Sequence, residues 1–157
     1  MRQYEQYLSM SLAYLDIGIV ATESKNQWNM YQQAIAYQMF HACELFLQFA
    51  ILHKTEDELV RESSINELLT RYEVLYPEAP YALVLPFDCR DVSRKSDEER
   101  ANIQSHIEQF DPRLINHCSK DRFIQNSDTY LFYFDSAYFE TMKTRFEQIG
   151  RKVLGIG

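Results

Sequence analysis

The chain has 157 residues, of which 46% are hydrophobic and 14% aromatic, so it is long and apolar enough to bury the core of one domain, residues 1–157. This composition excludes a disordered chain, and the low total of four glycines and four prolines favours long helices over a turn-rich β fold. The formal net charge of −7 disfavours non-specific binding to nucleic acid, because the protein as a whole repels phosphates.

Cysteine usage and the first residues predict a cytoplasmic protein. Cys43, Cys89 and Cys118 cannot all pair within one chain, and none belongs to a Cys-x-x-Cys motif, which is typical of a reducing compartment. The first residues are polar and lead into no apolar signal core. Residues 26–43 carry no formal charge, but four glutamines and two asparagines interrupt them, so we expect no membrane span.

Two long helices are predicted at the start of the chain. The first runs from about Gln3 to Thr22, with an apolar seam formed by Tyr4, Leu8, Ser11, Leu15 and Ile19. The second runs from Gln27 to Lys54 and has two adjacent apolar lines, which make a wide apolar face. We therefore expect the second helix to lie between other helices, at the centre of the fold.

A third, shorter helix follows a charged segment. Ser64 and Glu67 have the spacing of a capping box, in which the serine hydroxyl and the glutamate each satisfy a free backbone N–H at the start of a helix. Pro77 and Pro80 end this helix. The apolar residues 81–87 are too short for a further helix, so we expect them to lie over the bundle as a covering segment.

The second half of the chain predicts a helix, a hairpin and a last helix. Residues 96–110 begin with a second capping box and end before a proline, and residues 122–134 have two β-rich runs around a polar turn. Asp135 or Ser136 caps the last helix, whose seam is Phe139, Met142, Phe146, Ile149 and Val153. The predicted fold is an all-α, up-and-down bundle of about five helices with a short β-hairpin before the last helix.

The sequence from Ala42 to Gln48, followed by Ser63 to Leu69, resembles the HEPN superfamily of helical-bundle proteins. In that superfamily a long helix carries Glu and, four residues later, Lys, and a His-x-Leu-x-x-Leu-Leu helix follows. The positions that match are Glu44, Ile65, Leu68 and Leu69. Gln48 stands where the lysine is usual, and Ser63 where the histidine is usual.

The second half resembles one uncharacterised HEPN branch, through Asp111-Pro112, then Arg122-Phe123, a polar turn and a final helix. The resemblance implies a bundle that commonly dimerises with a cleft between the protomers. Many members are ribonucleases, or companions of nucleotidyltransferases in toxin–antitoxin and phage-defence systems. Members that have lost the catalytic motif, an arginine followed after four to six residues by a histidine, act as binding or scaffold modules.

Arg100 and His106 satisfy the spacing of that catalytic motif. The histidine would act as general base or acid on a ribose 2′-hydroxyl, and the arginine would hold the phosphate. Glu98, Glu99 and Glu108 would repel that phosphate, and residues six apart on a helix are rotated by about 600°, so their side chains diverge. The sequence therefore favours a non-catalytic HEPN-like interaction module over the alternative, a metal-independent endoribonuclease.

Two groups of residues are candidate binding sites. His41, Glu44 and Gln48 share one stripe of the second helix, where they either line a cleft or, as we favour, form a buried polar network. Arg113, His117 and Arg122 belong to a locally basic loop that is either simply solvated or meets a phosphate or an acidic partner.

No metal site and no cofactor are predicted. The cysteines and histidines lack zinc-ligand spacing, and the glycines, at positions 18, 150, 155 and 157, form no phosphate-binding loop. We expect a homodimer, because apolar and aromatic side chains on the first and last helices exceed what one bundle covers. The resemblance adds a possible partner protein such as a nucleotidyltransferase; RNA is not favoured for this chain alone.

Overall fold

The computed structural model describes residues 2–24, 29–88, 90, 98 and 134–157. Within these ranges the chain forms four α-helices and no strand: α1 (Gln3–Thr22), α2 (Asn29–Thr55), α3 (Ile65–Leu75) and α4 (Ser136–Leu154). Two short 3-10 helices lie at Glu58–Glu62 and Ala79–Tyr81. The predicted all-helical class is confirmed. The predicted hairpin, and the predicted helix at 96–110, lie outside the described residues except for Phe134 and Glu98.

Helix α2 is the centre of the fold, as its two apolar lines predict. All eight residues from Leu45 to Leu52 are buried, so this part of the helix has neighbours on every side. Helix α1 runs antiparallel to α2, because the Tyr4 ring lies 4.9 Å from that of His53 and the Tyr14 ring lies 4.7 Å from that of His41. The predicted bounds of α1 are confirmed.

Helix α4 packs against both α1 and α2. The rings of Phe46 and Phe146 stack with centroids 4.1 Å apart, which joins α2 to α4. The predicted seam of α4 is confirmed, since its five residues are all buried. The contact of α4 with α1 includes an ion pair, in which the Lys143 ammonium lies 2.6 Å from an Asp16 carboxylate oxygen.

The predicted covering segment is confirmed over residues 83–87. Leu83, Leu85 and Phe87 are buried while Val84 is 87% exposed, so alternate side chains face the bundle. The Phe87 ring lies 5.1 Å from that of Phe40 on α2. This segment follows α3, whose end before Pro77 also agrees with the sequence.

Side-chain caps fix the starts of α3 and α4. The Ser64 hydroxyl accepts a hydrogen bond from the backbone N–H of Glu67 at 3.3 Å, as the capping box predicts. The Asp135 carboxylate accepts one from the N–H of Tyr138 at 2.8 Å, so Asp135 is the cap of the last helix. Gly155 ends α4 in the left-handed conformation, with φ of 72°.

Among the helices that the structure describes, one segment, Ala34–Thr55, is long and apolar enough to cross a membrane by length and composition. Of its 18-residue window, 78% is buried inside the fold. Burial of that kind is what the core helix of a folded domain shows.

Candidate functional site

The polar stripe of α2 lies at the edge of the α1–α2 contact. His41 and Glu44 are half-buried, with His41 Nδ1 3.6 Å from Glu44 Oε1, and Gln48, one turn further on, is only 5% exposed. The stripe thus runs from the surface into the core, and only its first two members can meet a ligand or partner directly.

The imidazole of His41 is held between two tyrosine rings. Its ring meets that of Tyr14 of α1 edge to face at 4.7 Å, and it stacks on that of Tyr37 of α2 at 5.8 Å with an interplanar angle of 15°. Tyr37 is 44% exposed. These contacts fix the imidazole and place an aromatic surface beside it.

A row of exposed apolar side chains on α1 continues this surface. Met10, Ala13, Ile17 and Val20 repeat at steps of three, four and three residues, so they line one face of the helix. Their exposure is substantial, at 47% for Met10, 53% for Ile17 and 70% for Val20. We call these four residues the α1 outer stripe.

Few charged side chains border the α1 outer stripe. Helix α1 contains only two formally charged residues, Glu5 and Asp16, and Asp16 is paired with Lys143 of α4. Tyr14 lies next to the stripe on the helix surface, four residues after Met10 and three before Ile17, so the stripe joins the tyrosine–histidine surface of α2. An exposed apolar patch of this continuity is typical of a protein contact site.

The α1 outer stripe is not among the features predicted from the sequence, because that prediction gives α1 a single seam. The predicted seam is the inner face, whose Ser11 and Leu15 are fully buried. The outer stripe has the same three- and four-residue spacing on the opposite face, and this second period is visible in the sequence. A helix with two apolar faces predicts a partner on each side.

The other candidate binding and catalytic residues lie outside the described residues. These are Arg100, His106, Arg113, His117 and Arg122.

Two arginines of the described chain already have carboxylate partners. Arg71 lies 2.9 Å from Asp57, and Arg90 contacts Glu73 at 2.7 Å and Asp88 at 2.9 Å. The hydrogen bonds that the Arg90 guanidinium donates to the carboxylates of Asp88 and Glu73 raise the pKa of Arg90 above its ordinary value. Because each guanidinium is neutralised in this way, the surface beside α3 offers little net attraction to a phosphate.

The described part of the chain shows neither a metal-binding cluster nor a reactive thiol. No cluster of three His, Cys, Asp or Glu side chains that could hold a metal ion occurs within the described residues. Cys43 is fully buried, and burial raises the pKa of its thiol well above the ordinary value, which suppresses the reactive thiolate.

Comparison of the chain with protein-family models, curated proteins and solved structures gives no match in any of the three.

Proposed function

We propose that this protein is a non-catalytic, HEPN-like binding module that acts through protein–protein contact. The observation that carries the proposal is the α1 outer stripe, which is an exposed, uncharged apolar row on a helix whose opposite face is buried. Leaving apolar area in water is unfavourable, and a partner that covers it recovers about 25 cal/mol per Å². A stripe of this form on a helix suits a partner helix laid along it.

The proposed occupant of the stripe is a second copy of the chain, as in the homodimer predicted from the sequence. A net charge of −7 on each copy opposes association in general, and the side chains of the α1 outer stripe are themselves uncharged, so contact through them adds little repulsion. A two-fold axis across α1 would place the same patch on both sides of the contact, as homodimers require.

The rest of the proposal follows the HEPN resemblance. It includes a fifth helix at about 96–110, a short hairpin at 122–134, a cytoplasmic location and a role in a toxin–antitoxin or phage-defence system. Glu44, Ile65, Leu68 and Leu69, which carry the resemblance, lie on α2 and α3, and the three apolar residues are buried where these helices pack together. A partner such as a nucleotidyltransferase would then bind the dimer.

The homodimer is tested by sedimentation velocity at micromolar concentration with two matched variants. Ile17→Asp puts a charge into the α1 outer stripe, and we expect it to convert the dimer to a monomer without loss of folding, because Ile17 is 53% exposed. Val74→Asp puts the same charge on α3, where Val74 is 75% exposed, and should leave the dimer intact. A wild-type monomer at these concentrations, or a dimer that only Val74→Asp dissociates, would contradict the proposal.

The alternative is a HEPN-type ribonuclease, which the five-residue separation of Arg100 and His106 favours. It is tested by incubating the pure protein with total RNA, with and without His106→Ala. We expect no cleavage by either protein. Cleavage by the wild type that disappears in the variant would replace the binding-module proposal with the ribonuclease.

A further inference from the structure

A cleft of about 200 Å³ opens where the start of α1 meets the end of α2, and the 3-10 helix at Glu58–Glu62 forms one side of it. Its floor is apolar: Leu52 is 6% exposed, and the rings of Tyr4 and Tyr7 are half-buried. The edge contact of Tyr4 with His53 fixes one of these rings. The cleft is thus a small, partly aromatic depression, and its Tyr7 lies three residues before Met10, the first residue of the α1 outer stripe.

Two arginines line the cleft, and the side chain of each contacts a tyrosine. The Arg2 guanidinium donates a hydrogen bond to the Tyr4 hydroxyl at 2.7 Å. The Arg61 guanidinium carbon lies 5.7 Å from the centre of the Tyr7 ring, which is within cation–π range. A guanidinium fixed in position presents a planar fork of donors that matches a carboxylate.

Two glutamates, Glu56 and Glu58, line the same cleft. Neither forms an ion pair within the described residues. The cleft therefore carries two positive and two negative groups and is close to neutral, in a chain whose net charge is −7. A phosphate would meet the carboxylates, and a polyamine would meet the guanidinium groups, so neither class fits the whole cleft.

The backbone at Glu56 has an unusual conformation for a residue that carries a side chain. Glu56 follows the last residue of α2 with φ of 57°, and its N–H bonds to the carbonyl of Leu52 at 3.0 Å. Glycine is the usual residue in this left-handed position after a helix, because a side chain there is strained. Glu56 thus ends α2 and adds a carboxylate to the lining of the cleft.

We propose that this cleft binds a small zwitterion, namely a free α-amino acid with an apolar side chain. Arg2 and Arg61 hold its carboxylate, Glu56 and Glu58 hold its ammonium group, and its side chain lies on the Leu52–Tyr4–Tyr7 floor. The volume of about 200 Å³ suits a ligand of this size and is below the usual range for drug-sized ligands. None of the α1 outer stripe residues lines the cleft, so the site does not depend on the proposed function.

In the binding test the full chain is titrated with L-phenylalanine and with L-leucine, and NMR chemical shifts of the protein report the binding. We expect saturable shifts, in the millimolar range that suits so small a ligand. N-acetyl-L-phenylalanine lacks the ammonium group and L-phenylalaninamide lacks the carboxylate, so each should bind about tenfold more weakly or worse. Absence of saturation above about 10 mM for both amino acids, or equal affinity for the blocked compounds, would overturn the proposal.

Variants then test which residues hold the ammonium group of the ligand and which hold its carboxylate. Glu56→Gln should abolish the preference for L-phenylalanine over N-acetyl-L-phenylalanine, because the variant lacks a partner for the ammonium group. Arg2→Gln should abolish the preference for L-phenylalanine over L-phenylalaninamide, because the variant lacks a partner for the carboxylate. Glu62→Gln serves as the control, because Glu62 is an exposed carboxylate of the same 3-10 helix and does not line the cleft. If Glu62→Gln changes the preference as much as Glu56→Gln does, the assignment of the ammonium subsite is wrong.

The variant Glu56→Gly distinguishes the effect of the Glu56 side chain on ligand binding from its effect on stability. Removing the side chain from a left-handed position relieves strain, so the melting temperature should rise by about 2 to 4 °C. The same variant lacks one ammonium partner, so its affinity for L-phenylalanine should fall by about tenfold. A variant that is both more stable and equally able to bind would show that the carboxylate is not part of the site.

Discussion

Phe139 of α4 fills the space that a side chain at Gly18 of α1 would need. A methyl group on Gly18 would lie 2.0 Å from Cε1 of that ring, and one on Gly150 of α4 would lie 2.9 Å from Cδ2 of Leu8. The two glycines therefore let α1 and α4 approach closely. From the sequence, Gly18 reads only as a weak point in a helix, because a pattern of apolar positions does not reveal which helix faces it.

Gly18→Ala should destabilise the protein by about 1–3 kcal/mol, although alanine is the better helix former. The fully buried Phe139 ring has no free space to move into, so overpacking outweighs helix propensity. Thermal or urea unfolding measures the loss. Gly150→Ala is the matched control and should cost less, because its nearest neighbour is the flexible end of the partly buried Leu8. Unchanged or raised stability of Gly18→Ala would mean that the ring can rotate away.

Among the secondary-structure elements, the helices were predictable from the sequence where a helix buries one regular face or is buried on all sides. The bounds of α1, the cap at Ser64 and the seam of α4 follow from local spacing, which the structure retains because each helix buries one regular face. Neither the 3-10 helix at Glu58–Glu62 nor the cleft beside it was predictable. The cleft joins residues of α1 and α2 that are about fifty positions apart, and sequence spacing carries no information on such contacts.

Ala42 tests the central position of α2. It is fully buried, and its carbonyl accepts a hydrogen bond from the Ser11 hydroxyl at 2.6 Å. Ala42→Asp would place an unpaired charge between α1 and α2, and we expect a loss of about 4 kcal/mol or more, enough to abolish cooperative thermal melting. Ala34→Asp is the control, because Ala34 is exposed on the same helix. Near wild-type melting of Ala42→Asp would show that α2 is not enclosed there.

For the whole molecule, two buried tyrosines make the free energy of unfolding decrease as the pH becomes alkaline. The Tyr76 hydroxyl donates to the carbonyl of Ala50 and the Tyr72 hydroxyl to that of Tyr81, both at 2.6 Å. Burial raises the pKa of Tyr76 to about 12, above its ordinary value of 10.0, and raises that of Tyr72 as well. The folded state thus favours the neutral phenols, and the unfolded state loses these protons first as the pH rises.

The contribution of these phenols to stability is fully present below about pH 10 and is lost as the pH rises through about 12. Urea unfolding across this window should show falling stability for the wild type. The double variant Tyr72→Phe, Tyr76→Phe should lose less stability over the same window, because it has no phenol to ionise at these positions. A wild-type stability that is flat to pH 12, or an equal fall in the variant, would refute this link.

The contact between α1 and α4 also constrains how the protein is made. Asp16 and Lys143 are separated by 127 positions, and α2 needs both flanking helices before its residues 45–52 are covered. At a synthesis rate of about 5–20 residues per second, the 99 residues from the end of α2 (Thr55) to the end of α4 (Leu154) take about 5–20 s to follow. The nascent chain therefore has an interval in which Phe46 and its neighbours face water, and a chaperone that shields them during translation would raise the yield of folded protein.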